Sequence, residues 1–158
     1  MAGADSMENN NSSTALAWLE EVRGHLSEGH VVEFSPKGHS MWPTLRPDCD
    51  TVSLEATGEY RLNDLVLALC DEPRGVFLHR IIRVRPDEVL LAGDSNLCQT
   101  ERCRHENIVG KITAIRRNGR DVSASFTNRI LTLLQNLPPL PRRMFVRTVR
   151  LYLKYHHQ

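Results

Sequence analysis

Six short segments between residues 31 and 116 carry apolar and β-branched residues in strand-like runs, and no helical pattern interrupts them. They are residues 31–34, 51–54, 65–70, 76–84, 89–92 and 108–116. Turn residues separate the segments, for example DEPRG at residues 71–75 and RPD at residues 85–87. Many short strands in succession without intervening helices predict a mainly β body.

Helical spacing occurs only outside this region. Residues 14–28 place Leu16, Leu19, Val22 and Leu26 on one face and are followed by Gly29, which predicts an amphipathic packing helix. A chain of 158 residues fits one domain with a real core. We therefore expect a disordered or non-native tail at 1–11, one β domain with its N-terminal helix at 12–125, and a helical extension at 126–158.

The predicted extension is strongly basic although the whole chain has a net charge of only +1. Residues 116–158 hold 9 Lys/Arg and one acid, whereas residues 1–115 hold 11 Lys/Arg and 18 Asp/Glu. Four of the cations fall on one helical stripe: Arg143, Arg147, Arg150 and Lys154. Two interpretations stand: the helix docks on the domain with its cations in water, or it contacts anionic lipid or an acidic partner. No nucleic-acid partner is predicted.

The cysteines and the hydropathy pattern indicate a cytoplasmic protein, with peripheral membrane contact through the basic stripe as the alternative. Four cysteines occur without a secretory signal, which favours reduced thiols. Cys98, Cys103 and His105 form C-x4-C-x-H, but a zinc site would need a fourth ligand, and we predict no metal and no cofactor. The longest clear apolar run, residues 65–70, is far shorter than the roughly 18 to 20 residues of a membrane span.

The first candidate catalytic segment is residues 37–47, KGHSMWPTLRP. In it Ser40 is followed by Met, one further residue and Pro-Thr-Leu. NDLVLA at 63–68, LHRII at 78–82, GDSN at 93–96 and VGK at 109–111 follow in order. This order and spacing resembles the S24/S26 serine peptidases, the clan of type I signal peptidases and LexA-like self-cleaving repressors. The resemblance covers about residues 31–116 and implies a signal peptidase/LexA-like β fold, here with flanking N- and C-terminal helices.

The resemblance implies that Ser40 is the nucleophile and that the base lies in LHRII, where many relatives carry lysine and this chain carries His79. Lysine would have to lose about three units from a pKa of ~10.4 to act near neutrality, whereas histidine starts near ~6.5. Asp94 is the preferred acid to orient His79, and Glu101 is the alternative. Gly38 is expected to allow close backbone approach at the oxyanion and substrate site, with Met41 beside it.

The predicted function is a soluble serine endopeptidase that cleaves a peptide or precursor protein, bound as an added strand with small side chains near the scissile bond. Two alternatives remain. One is a catalytically silent peptide-binding module of the same fold. The other is a LexA-like self-cleaving regulator, against which stand the missing lysine and a short N-terminal region. The sequence does not indicate an oligomeric state.

Overall fold

The structure, a computed structural model, describes residues 5–47 and 49–122 as one helix and eight strands. The helix α1 spans Asp5–Ser27. The strands are β1 Val32–Phe34, β2 Asp50–Glu55, β3 Leu65–Asp71, β4 Arg74–Val84, β5 Val89–Gly93, β6 Asn96–Cys103, β7 Ile108–Arg117 and β8 Arg120–Asp121. A 3-10 turn, His105–Asn107, connects β6 to β7.

All eight strands belong to one antiparallel sheet with the order β1-β2-β7-β3-β4-β5-β6, and β8 pairs with β7. Consecutive strands β3, β4, β5 and β6 are neighbours, so this half is a meander of hairpins. β7 returns between β2 and β3 and joins the first strands to the meander. The register shifts once in β4–β5 and once in β5–β6, at Leu91/Gly93, and such irregularities bend a sheet and redirect its side chains.

Helix α1 covers one face of this sheet through a stripe of apolar residues. Leu19, Val22 and Leu26 are almost fully buried in one cluster with residues of β2 and β3. The Trp18 ring meets Phe34 of β1 edge-on at a centroid distance of 5.3 Å. Each buried Leu or Val side chain contributes about 1.5–3 kcal/mol, so the stripe fixes where the helix lies.

The mainly β body is confirmed, and all six predicted strands are present within one or two residues of their expected ends. The Asn118-Gly119 turn joins β7 to β8, with both residues at positive φ as a tight hairpin turn requires. β6 was not predicted. α1 starts at Asp5, well before residue 14, so the boundary placed after residue 11 does not match the helix.

The predicted basic extension at 126–158 lies outside the described residues, together with its stripe of Arg143, Arg147, Arg150 and Lys154. In the ranges that the structure does describe, no helix is both long and apolar enough to cross a membrane.

Candidate active site

Ser40 lies at an exposed turn whose following residues are anchored in the core. Met41 and Leu45 are buried in the apolar cluster formed by β2, β3 and β7, and the Leu45 amide donates to the Met41 carbonyl at 2.9 Å. This anchoring holds the Ser40 backbone while its side chain stays accessible. Met41, predicted at the substrate site, also lines the cleft described below.

Gly38 lies at a turn two residues before Ser40 and leaves open space beside its backbone. Apart from its chain neighbours, no described atom lies within 4 Å of the position that a Cβ would take there. Its φ is +80°, a conformation that side-chain-bearing residues adopt at a cost. The glycine is therefore suited to turning the chain into the Ser40 segment, and because Gly38 lines the cleft described below, its expected approach to a bound substrate stays a prediction.

His79 lies in the middle of β4, opposite Val66 of β3, and its ring is almost completely buried. Its Nδ1 lies 2.8 Å from Glu101 Oε2, and Glu101 is itself 3% exposed. A carboxylate only accepts hydrogen bonds, so Nδ1 carries the proton that it donates to Glu101. In the neutral imidazole this leaves Nε2 as a hydrogen-bond acceptor, which is the form a general base requires.

The Ser40 backbone and the His79 ring approach each other around Gly93, at the end of β5. A Cβ on Gly93 would stand 2.6 Å from the Ser40 carbonyl oxygen and 3.1 Å from His79 Nε2. These two atoms are therefore at most about 6 Å apart, because both distances start from one point. Within the described part of the chain, the Ser40 hydroxyl makes no hydrogen bond to His79 in this state.

The Ser40 carbonyl is held by the turn that follows β5. The Ser95 amide donates to Ser40 O at 2.9 Å, and the Ser95 hydroxyl lies 3.0 Å from the same oxygen and 2.8 Å from His39 O. Fixing that carbonyl fixes the peptide plane after Ser40. Among residues 5–47 and 49–122, no acceptor engages the Ser40 N–H, so this donor is available to a bound group.

Asp94 pairs with Arg80 and not with His79, which corrects the preferred assignment from the sequence. Its two carboxylate oxygens pair with Arg80 Nε and Nη2, both at 2.8 Å, and accept from the Thr44 hydroxyl at 2.5 Å. Arg80 is 1% exposed and also donates to the Asn63 carbonyl at 2.8 Å. A buried guanidinium needs a charged partner, so Asp94 is committed to Arg80, and the alternative acid, Glu101, stands at His79.

Ser40 and His79 open onto one cleft of about 690 Å³. Most of its lining comes from three parts of the chain: Thr14, Ala15 and Trp18 of α1, residues 34–38 with Ser40 and Met41, and residues 76–79 of β4. Most of these side chains are apolar, and Lys37 is the cation among them. A hydroxyl and an imidazole therefore lie in the lining of a largely apolar cleft.

Two of the three residues of the C-x4-C-x-H motif, Cys103 and His105, have hydrogen-bond partners within the protein. His105 has Tyr60 on Nδ1 and the Arg85 carbonyl, at 2.7 Å, on Nε2. The Cys103 thiol is buried against the Leu69 and Arg104 carbonyls. Both ring nitrogens of His105 are therefore used by the protein in this structure.

Comparison with known proteins gives no assignment: no family model matches the sequence, and no curated protein matches it either.

Proposed function

We propose that the chain is a serine endopeptidase of the S24/S26 type, with a signal-peptidase-like fold, in which Ser40 is the nucleophile and His79 the general base. Glu101 is proposed to orient the base. The observation that carries the proposal is the buried His79–Glu101 pair, whose free Nε2 lies beside the Ser40 backbone across Gly93. A base of defined tautomer next to an accessible serine is the arrangement that nucleophilic acyl transfer uses.

In the proposed reaction, Ser40 Oγ attacks the scissile carbonyl carbon and its proton passes to His79 Nε2. Glu101 stabilises the imidazolium that forms, and the Ser40 N–H donates to the developing oxyanion. The imidazolium then gives its proton to the leaving amine, and water repeats the sequence to release the acyl group. The hydroxyl has to rotate toward Nε2 when substrate binds, since catalytic hydrogen bonds are often completed only in the complex.

The strand pairing supports binding of an extended peptide. Residues 74–79 of β4 pair with β3 on one side, and β5 joins the other side only from Arg80 onward. Within the described ranges no strand pairs with that outer edge, and the cleft runs along it. A peptide or precursor protein added here as a strand would pass Ser40, and its alternate side chains would enter the apolar cleft.

A serine-directed fluorophosphonate probe, followed by mass spectrometry of the labelled peptide, tests the proposal. We expect labelling at Ser40, its loss in Ser40→Ala and its strong reduction in His79→Ala. Ser35→Ala is the matched control, because Ser35 lines the same cleft and is also exposed. Labelling that survives in His79→Ala and disappears in Lys37→Ala would transfer the role of base to the lysine.

A silent peptide-binding module is the second candidate, and the open Ser40–His79 geometry is the observation in its favour. Isothermal titration of the protein with peptides that it does not cleave separates the binding module from the peptidase. Peptide binding without probe labelling or cleavage would establish the binding module. The self-cleaving regulator is less well supported, because this chain carries His79 where the resemblance to such regulators leads us to expect a lysine base.

A further inference from the structure

The C-terminal end of α1 has the hydrogen-bond pattern of a Schellman motif. The Gly29 amide donates to the Leu26 carbonyl at 3.0 Å, and the His30 amide donates to the His25 carbonyl at 3.1 Å. Gly29 has a φ of +81°, the left-handed conformation that this motif requires at its glycine. The chain therefore reverses, and the residue after the glycine returns over the last turn of the helix.

In this motif the two residues joined by the outer hydrogen bond usually make an apolar contact. Here both of them are histidines. The rings of His25 and His30 lie 6.2 Å apart, and Glu28 Oε2 lies 3.3 Å from His30 Nδ1. One donor atom from each of the three side chains falls within 4.8 Å of the other two, and all three residues are exposed. The backbone thus brings two imidazoles and a carboxylate to one point on the surface.

We propose that His25, Glu28 and His30 form a binding site for a divalent transition-metal ion, of which Zn²⁺ is the representative. Two imidazoles and a carboxylate are a common protein ligand set for zinc, and the remaining position is taken by water. With metal–ligand distances of about 2.0–2.1 Å in tetrahedral geometry, donor atoms lie roughly 3.3 Å apart. The donor atoms, now within 4.8 Å of one another, can reach this spacing by small side-chain rotations, because all three residues are exposed. The site does not depend on the proposed peptidase activity.

The position of the site at a helix C-terminus adds to its preference for a cation, because the helix dipole places partial negative charge there. A bound ion would link His25, in the last turn of α1, to His30, which lies two residues before the start of β1. The same helix supplies Trp18 and Ala15 to the cleft, so metal binding would also stabilise one cleft wall.

Isothermal titration of the metal-stripped full chain with ZnCl₂ tests the proposal. His156 and His157 are adjacent in the sequence and could also bind zinc. Both are therefore replaced by glutamine in the starting variant for this experiment, called the parent protein below. We expect one zinc ion per chain. His30→Asn and His25→Gln should each weaken binding by at least tenfold, as loss of even an outer-sphere partner costs 10–100-fold. Mg²⁺, which prefers oxygen ligands, should not compete.

Glu28→Gln should also weaken binding, whereas Glu20→Gln, an exposed change in α1, should leave it unchanged. Imidazole resonances in two-dimensional NMR provide the structural readout: zinc should shift those of His25 and His30 and leave that of His79 in place. No binding by the parent protein, or equal affinity in His30→Asn and the parent, would overturn the proposal.

Discussion

Nδ1 of His79 donates a hydrogen bond of 2.8 Å to Glu101 Oε2, and both side chains are almost completely removed from solvent. The carboxylate has three consequences for the imidazole: it fixes the tautomer, restricts rotation of the ring and stabilises the cation formed when Nε2 takes a proton. If the proposed peptidase activity is correct, this carboxylate has a catalytic effect that can be measured separately from its contribution to stability.

Glu101→Gln should lower kcat by up to about 10⁴-fold with little change in KM, because the amide does not stabilise the imidazolium and can favour the wrong tautomer. Steady-state kinetics on a peptide substrate measures this. Glu101→Asp keeps the charge and should recover part of the loss. If Glu101→Gln reduces thermal stability but leaves kcat intact, Glu101 has only a structural role.

Asp94→Asn should act mainly on stability, because it leaves the buried Arg80 guanidinium without a charged partner. Removing one member of a buried ion pair costs about 3–5 kcal/mol in the free energy of unfolding. Urea unfolding measures the loss, and Asp87→Asn, an exposed change in the β4–β5 turn, is the control. An Asp94→Asn variant of unchanged stability with strongly reduced kcat would return the orienting role to Asp94.

Gly93→Ala should reduce activity more than stability. The new methyl group would stand 2.6 Å from the Ser40 carbonyl and 3.1 Å from His79 Nε2, so it has to displace one of them. A displacement of about 1 Å in a reacting group costs about 100-fold in rate. Kinetics and circular dichroism of the purified variant measure the two effects. Gly58→Ala, where no atom lies within 4 Å of the new methyl, should behave as wild type.

The strands that the sequence predicts are those in which burial follows hydrophobicity. β3 and β5 are nearly continuous apolar runs, and their positions match the prediction closely. β6 was missed because the inward positions of its second half are Glu101 and Cys103, with Arg102 between them exposed. A buried glutamate removes the alternation by which a strand is recognised, and this glutamate is buried because it pairs with His79.

The roles of the two acids could not be separated from sequence. Asp94 follows a glycine near the expected site, and only the β4 register shows that Arg80, not His79, points to it. His79 and Arg80 are neighbours on a strand, so their side chains leave opposite faces of the sheet and reach different carboxylates. Burial of Arg80 beside the proposed base would have been the signal, since such a cation needs a buried acid, but the sequence alone does not show that this arginine is buried.

Alkylation with iodoacetamide should distinguish two of the described cysteines, the buried Cys70 and the exposed Cys49. The hydrogen bond that Cys70 makes to Cys103, together with burial, raises the pKa of the Cys70 thiol, and its side chain is 1% exposed. Since the thiolate is the reacting form, Cys70 should stay unmodified in the native protein even when the pH is raised from about 7 to about 9. Cys49, which is exposed, should be labelled under the same conditions, and both should react in urea. Mass spectrometry of the digested protein after timed quenching gives the two rates. Rapid labelling of Cys70 in the native protein would mean that β3 and β6 separate readily. The His79–Glu101 pair joins β4 to β6 beside these strands. Such separation would therefore leave the proposed base less firmly held than the mechanism requires.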